Sequence, residues 1–150
     1  MRALIQRVIQ ADVMVTGTRI AEINHGMMVL LGVEAADDPS DVEWLADKIF
    51  RLRIFADADG KMNRSVSQVG GNILVVSQFT LHASTQRGNR PSFLKAALPD
   101  HAEPMIAAVC EKLSRLLGKD VAQGIFGADM KIGLINDGPV TIFIDSRARE

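Results

Sequence analysis

Two short polar segments are the places in this chain where chemistry could be done. The first, Ser77-Gln78-Phe79-Thr80-Leu81, follows directly on the apolar run Ile73-Leu74-Val75-Val76. A strand buried on both faces fixes its own backbone, so residues at its exposed end meet a ligand with little freedom. Ser77, Gln78 and Thr80 could equally do no more than satisfy backbone groups at that strand end. The second segment, Asn136-Asp137-Gly138-Pro139-Val140-Thr141, sets turn formers and Gly-Pro between two apolar stretches. It reads as a hairpin connection, because Pro139 has no N–H to give to a ladder. A Gly-Pro bond also lies within about 1 kcal/mol of its cis form, so it could present carbonyl oxygens in an unusual direction.

Other chemistries fit the residues less well. A serine hydrolase needs a base and an orienting group, and the chain has no Gly-x-Ser-x-Gly elbow. His25, His82 and His101 occur singly, and only His82 falls near Ser77; surface or hydrogen-bonded roles are expected for all three. The spacings that hold zinc are missing, and Asp57-x-Asp59-Gly60 has too few ligand positions for a calcium loop and reads as a plain turn. No metal or cofactor is expected. Arg7 interrupts an otherwise apolar strand face and must either pair with a buried carboxylate or point into a polar pocket. Arg87, Arg90 and Lys95, with Arg51, Arg53, Lys61 and Arg64 elsewhere, could line a path for phosphates or be ordinary solvated surface.

These residues need elements to place them. A chain of 150 residues, 47% hydrophobic and 23% charged, suits one domain with one core, spanning 1–150. At that length about 70% of the unfolded surface is buried without help from a disulfide or metal. The lone Cys110 excludes an intramolecular disulfide and points to a reducing, cytoplasmic setting. No apolar run is long enough for a membrane span. The net charge of −1 argues against a protein that grips long DNA or RNA duplexes, since counterion release needs many cations. Any nucleic acid is expected to be met over a short stretch, such as a terminus.

Alternation predicts a strand from Arg2 to Thr16 with its odd positions, Ile9 included, on the apolar face. Further strands are expected at 19–23, 27–33, 73–76, 130–135 and 140–145. One helix begins at Asp38-Pro39 or at Ser40 and carries Val42, Leu45, Ala46, Ile49 and Phe50 on one face. A second carries Ile106, Val109, Cys110, Leu113, Leu116 and Leu117 and stops at Gly118. That order predicts an α+β domain, a mostly antiparallel sheet or barrel covered by helices on one side.

Taken together the segments resemble the D-aminoacyl-tRNA deacylase family, over nearly the whole chain from Met1 to about Asp145. Ser77-Gln78-Phe79-Thr80-Leu81 matches the family's Ser-Gln-x-x-Leu motif, and Asn136 to Thr141 matches Asn-x-Gly-Pro-x-Thr. Gln6-Arg7-Val8, Leu52 to Phe55, Gly60 to Asn63, Arg90 to Phe93 and Phe126 to Met130 look similar too, while Ile9 to Asp12 and Ser84 to Gln86 are less typical.

The resemblance implies a cytoplasmic homodimer acting on the aminoacylated 3′ end of tRNA. It would hydrolyse the ester of a D-amino acid, and glycine mischarged on alanine tRNA. Gly138-Pro139, cis, would project from one subunit into the other's pocket, and its carbonyl wall would hold the ammonium group and leave no room for an L side chain. Gln78, Phe79 and Thr80 are the expected catalytic residues, with Arg7, Ser77, Met130, Gly138 and Pro139 binding substrate. Backbone N–H groups around Phe79 and Thr80 are candidate oxyanion donors. Thr80 has no evident base, so the 2′-hydroxyl of the terminal adenosine is the expected assistant. The alternatives are a non-catalytic RNA or small-ligand module of the same fold, and a relative that tolerates L-alanine.

Overall fold

The computed structural model describes residues 1–149. Strand β1 (Arg2–Val15) is the spine of the sheet. It pairs antiparallel with β2 (Thr18–Ile23) and β3 (Gly26–Gly32) along one edge, and with β8 (Met130–Asp145) along the other. Beyond β3 the sheet continues in parallel through β6 (Asn72–Ser77) to β7 (Ala122–Gln123). A small antiparallel ribbon of β4 (Phe55–Ala56) and β5 (Met62–Arg64) stands apart. The sheet curls so far that β7 approaches β2, leaving it nearly closed.

Two cores explain that shape. Ala3, Ile5, Met27, Val29, Leu31, Ile73 and Val75 face helices α1 (Pro39–Arg51) and α2 (Pro99–Leu117). Val8, Ala11, Val13, Ile23, Met28, Leu74 and Val76 fill the inside of the curled sheet. The run Ile73–Val76 is therefore buried on both faces, as its unbroken apolarity requires. Both helices lie on one side, in the expected α+β arrangement.

The helix boundaries follow local chemistry. Asp38, not Ser40, caps α1: its carboxylate accepts the Ser40 N–H at 2.7 Å, and Asp41 returns the favour to the Asp38 N–H at 3.0 Å. Pro39 starts the helix, where a missing N–H costs nothing. Gly118 ends α2 at φ 71°, a left-handed cap that favours glycine. The buried Met1 amino group pairs with Asp37 at 2.6 Å, and Arg147 reaches the same carboxylate at 3.2 Å. These bonds tie the start of β1, the loop before α1 and the segment after β8 together. Burial pushes the Asp41 carboxyl up, but the Asp38 N–H, the Ser146 hydroxyl and the Met1 and Arg147 charges hold it below the ordinary value.

Two expectations from alternation are corrected. Ile9 is 53% exposed while Val8 is fully buried. The β1 ladder to β8 is irregular on both sides of Val8, and each irregularity shifts which side chains face inward. Nor do residues 136–139 form a hairpin turn. Residues 130–136 and 141–145 both pair with β1, as two parts of one strand, and the four residues 137–140 between them bulge out opposite Arg7.

Candidate active site

β6 holds the first segment rigidly because side chains on both its faces are committed to a core. The pairing runs one residue past the strand, where the Gln78 N–H donates to the Leu31 carbonyl at 2.8 Å. The backbone then breaks at Gln78 (φ −146°, ψ 84°) into a single 3₁₀ turn, Phe79–His82. The Gln78 side-chain amide donates to the Thr80 hydroxyl. The N–H groups of Phe79 and Thr80 open the turn and so have no acceptor within it. Among the described residues neither has another partner.

Ser77, Gln78 and Phe79 form one lip of a cavity of about 620 Å³ with a mostly apolar lining. Phe126–Met130, Leu31, Val76, Ile106, Phe93, Ala96–Pro99 and Ala102 line the rest of it. Phe79, half exposed, meets Phe93 edge-on with ring centres 5.0 Å apart. Met130 is set by Gly124, where a Cβ would come within 2.7 Å of the methionine sulfur. Gly124 is itself fixed by an N–H bond of 2.9 Å to the Val75 carbonyl. The strand that carries Ser77 thus also places Met130.

The second segment is built by side chains standing in for a ladder. Asn136 donates to the Val140 carbonyl at 3.1 Å and accepts the Val140 N–H at 3.0 Å, which closes the bulge on itself. Gly138 and Pro139 are left exposed at its tip, joined by a cis peptide bond. Behind them Arg7 donates to the Ile54 carbonyl and places its Nε 3.0 Å from Asp137, a charge contact without hydrogen-bond alignment. A Cβ on Gly138 would lie 3.0 Å from the Arg7 guanidinium, and φ at Gly138 is 124°, so glycine is required there twice over. The polar-pocket reading of Arg7 holds, since it lines a polar cavity of about 400 Å³ with His25, Phe55, Arg64 and Asp137, while its carboxylate partner is 38% exposed and not the buried one expected.

Within one chain the two segments therefore do not meet. Ser77, Gln78, Phe79 and Met130 share the first cavity, with Thr80 tied to Gln78. Arg7, Gly138 and Pro139 belong to a different part of the surface.

The histidines need one correction. His25 packs edge-on against Phe55, and His101 bonds the Asp37 carbonyl at 3.1 Å. His82 is neither surface nor satisfied: it is fully buried and neither ring nitrogen makes a hydrogen bond of good geometry. Burial and the nearby Arg2 charge push its pKa down, against opposing effects of the Gly32 backbone and Glu34. The Asp57–Gly60 stretch is the plain turn expected, its Asp57 carboxylate accepting the Asp59 and Lys61 N–H groups. The residues that sequence reasoning gave no role are the other walls of the cavity, Phe93, Ala96–Pro99 and Phe126–Asp129. Their only signal was that Arg90 to Phe93 and Phe126 to Met130 looked family-like.

The family model described as D-Tyr-tRNA(Tyr) deacylase matches residues 4–145. A D-aminoacyl-tRNA deacylase of Parabacteroides distasonis is 58% identical over 150 residues, all of both chains. One of Opitutus terrae is 57% identical with the same coverage. Among solved structures, the c-Myc DNA unwinding element binding protein superposes with a TM-score of 0.91 at 38% identity, over 97% of this chain and 98% of that one. A probable eukaryotic D-amino acid tRNA deacylase shares the fold, with a TM-score of 0.81 at 17% identity, over 95% and 97%.

Proposed function

This chain belongs to the D-Tyr-tRNA(Tyr) deacylase family, and on that premise we propose that it is a D-aminoacyl-tRNA deacylase, hydrolysing the ester between a D-amino acid and the 3′ adenosine of tRNA at the Ser77–Thr80 cavity. The observation that carries the reading is the pair of N–H groups free of acceptors, one on Phe79, which lines that cavity, and one on Thr80, the next residue of the turn. Donors held by a rigid strand end suit the oxyanion of an acyl transfer, each worth about 3 kcal/mol. The Gln78 amide and the Thr80 hydroxyl, bonded to each other, position the ester. Neither is a base, so the 2′-hydroxyl of the substrate's own adenosine assists the attacking water.

The chiral choice belongs to Gly138-Pro139. Exposed on its bulge and remote from its own chain's cavity, this element closes the cavity of a second copy. Its carbonyls accept from the substrate ammonium group, and its backbone occupies the space an L side chain would need. Glycine has no side chain to exclude, so glycine mischarged on alanine tRNA is also a substrate. The outer face of β1 and β8, with Ile9, Ile135 and Phe143 each about half exposed, is the face on which the copies join. Translation places the enzyme in the cytoplasm.

Hydrolysis of matched D- and L-aminoacyl-tRNAs tests the reading. Fast turnover of the D ester with the L ester spared is expected. Equal rates on both would favour a relative with relaxed selection, and binding without turnover a non-catalytic module. One structural relative is named for DNA binding; tight retention of duplex DNA by this chain, in place of turnover, would favour that activity instead.

A further inference from the structure

The deacylase reading leaves unused an excursion of the chain between the Phe79–His82 turn and the cavity residue Phe93. Ser84 and Ser92 exchange backbone hydrogen bonds of 2.8 Å in each direction. The loop between them is thereby pinned just after the Phe79–His82 turn on one side. On the other it is pinned just before Phe93, the cavity residue that meets Phe79. Arg87 and Arg90 are exposed on this loop, and Lys95 is exposed just beyond it.

Their charges are uncommitted. Arg2, Arg7, Arg19 and Arg147 each lie within 4.0 Å of an acidic side chain. Among the described residues no carboxylate pairs with Arg87, Arg90 or Lys95. Beside them Leu94 and Leu98 are 94% and 78% exposed, and Leu98 is itself a cavity residue. A chain of net charge −1 thus sets three unpaired cations and two exposed leucines on and beside a segment that joins the cavity at Phe93 and Leu98.

We propose that Arg87, Arg90 and Lys95 form a phosphate-binding rim for the single-stranded nucleotides that lead into the aminoacylated adenosine, with Leu94 and Leu98 as a shelf beneath them. The proposal rests on the deacylase reading. A guanidinium offers five donors in a planar fork that suits phosphate oxygens, and it needs no base identity to do so. Three cations on one loop suit a few phosphates of a strand end, not a duplex, which fits the low net charge. Recognition of this kind would be indifferent to sequence, as an enzyme that serves many tRNAs requires.

The test compares two substrates of the same enzyme, D-aminoacyl-tRNA and the corresponding D-aminoacyl ester of adenosine alone, across a salt series. Arg87→Gln with Arg90→Gln should raise KM for the tRNA several-fold at low salt and leave kcat unchanged. It should also flatten the dependence of log KM on log salt by about 1.4, or about 0.7 for each single-strand phosphate no longer neutralised. Hydrolysis of the adenosine ester should not change. Arg115→Gln with Lys119→Gln, in the last turn of α2 and just beyond it, should change neither substrate. An unchanged KM and salt slope on tRNA, with turnover intact, would overturn the rim while leaving the deacylase reading standing. Equal losses on both substrates would overturn it too, since the loop would then be serving the cavity. Failure of the unmodified enzyme on both esters would remove the deacylase reading itself.

Discussion

The Thr80 hydroxyl accepts from the Gln78 amide, and among the described residues no imidazole or carboxylate reaches it. An alcohol without a base is a weak nucleophile. Thr80→Ala is therefore expected to keep most of its deacylation, measured as kcat on D-aminoacyl-tRNA. A loss on the order of 10³-fold with KM unchanged would instead make Thr80 the attacking group. The companion measurement replaces the terminal adenosine by its 2′-deoxy form. Turnover should collapse if the substrate supplies its own assistance, and a normal rate would rule that mechanism out. Cys110, buried in the helix-side core with its thiol pushed up to about 12, takes no part in either scheme.

At the level of elements, the 3₁₀ turn is held from beneath by Gly32 and His82. A Cβ on Gly32 would stand 2.8 Å from the Gln78 carbonyl and 3.0 Å from the His82 ring, closer than packing allows. Gly32→Ala should thus cost about 1–3 kcal/mol, read by chemical denaturation, and lower kcat by tilting the turn that carries the oxyanion donors. His82 adds a pH dependence. Its pKa is lowered in the fold from an ordinary 6.5. Below 6.5 the unfolded chain binds a proton that the folded chain refuses, so stability falls as pH drops from 6.5 toward the lowered value. The melting temperature should decline across that window. His82→Phe should flatten the decline, and an unchanged slope would show that the ring titrates freely.

For the whole molecule, the separation of the two segments decides what must assemble. On the proposed reading Gly138-Pro139 is the chiral gate, and a cavity whose gate lies elsewhere on its own chain needs a second copy to supply it. Light scattering should accordingly give twice the 16.3 kDa chain mass, and Phe143→Glu, on the exposed β8 face, should give monomers that fold but do not discriminate. Mixed dimers supply the sharper test. Gln78→Ala and Gly138→Val variants, each poor alone, should regain activity when unfolded and refolded together, because half of the random pairs then hold one intact site. No recovery would place both segments in a site made by a single chain.

The sequence was enough for the stop of α2 at Gly118, a start of α1 at Asp38 or Ser40, the doubly buried strand and the two motifs. Each of these rests on local rules: cap residues at the helix ends, with the structure choosing Asp38 over Ser40, an apolar run that tolerates no solvated face, and residue types at fixed offsets. It also marked Arg7 as anomalous. That residues 137–140 form a bulge came from the fold alone, because a hairpin and a bulge share the same turn chemistry and differ only in what β1 pairs with. The exposure of Ile9 was hidden for the same reason, since an irregularity in the ladder resets the alternation without leaving a residue type to announce it. The apolar walls of the cavity, such as Ala97 and Phe126, carry no polar signature, so their role emerged only when folding brought them into one cavity with Ser77. The distance between the motifs was likewise a fact of chain path, which no local pattern encodes.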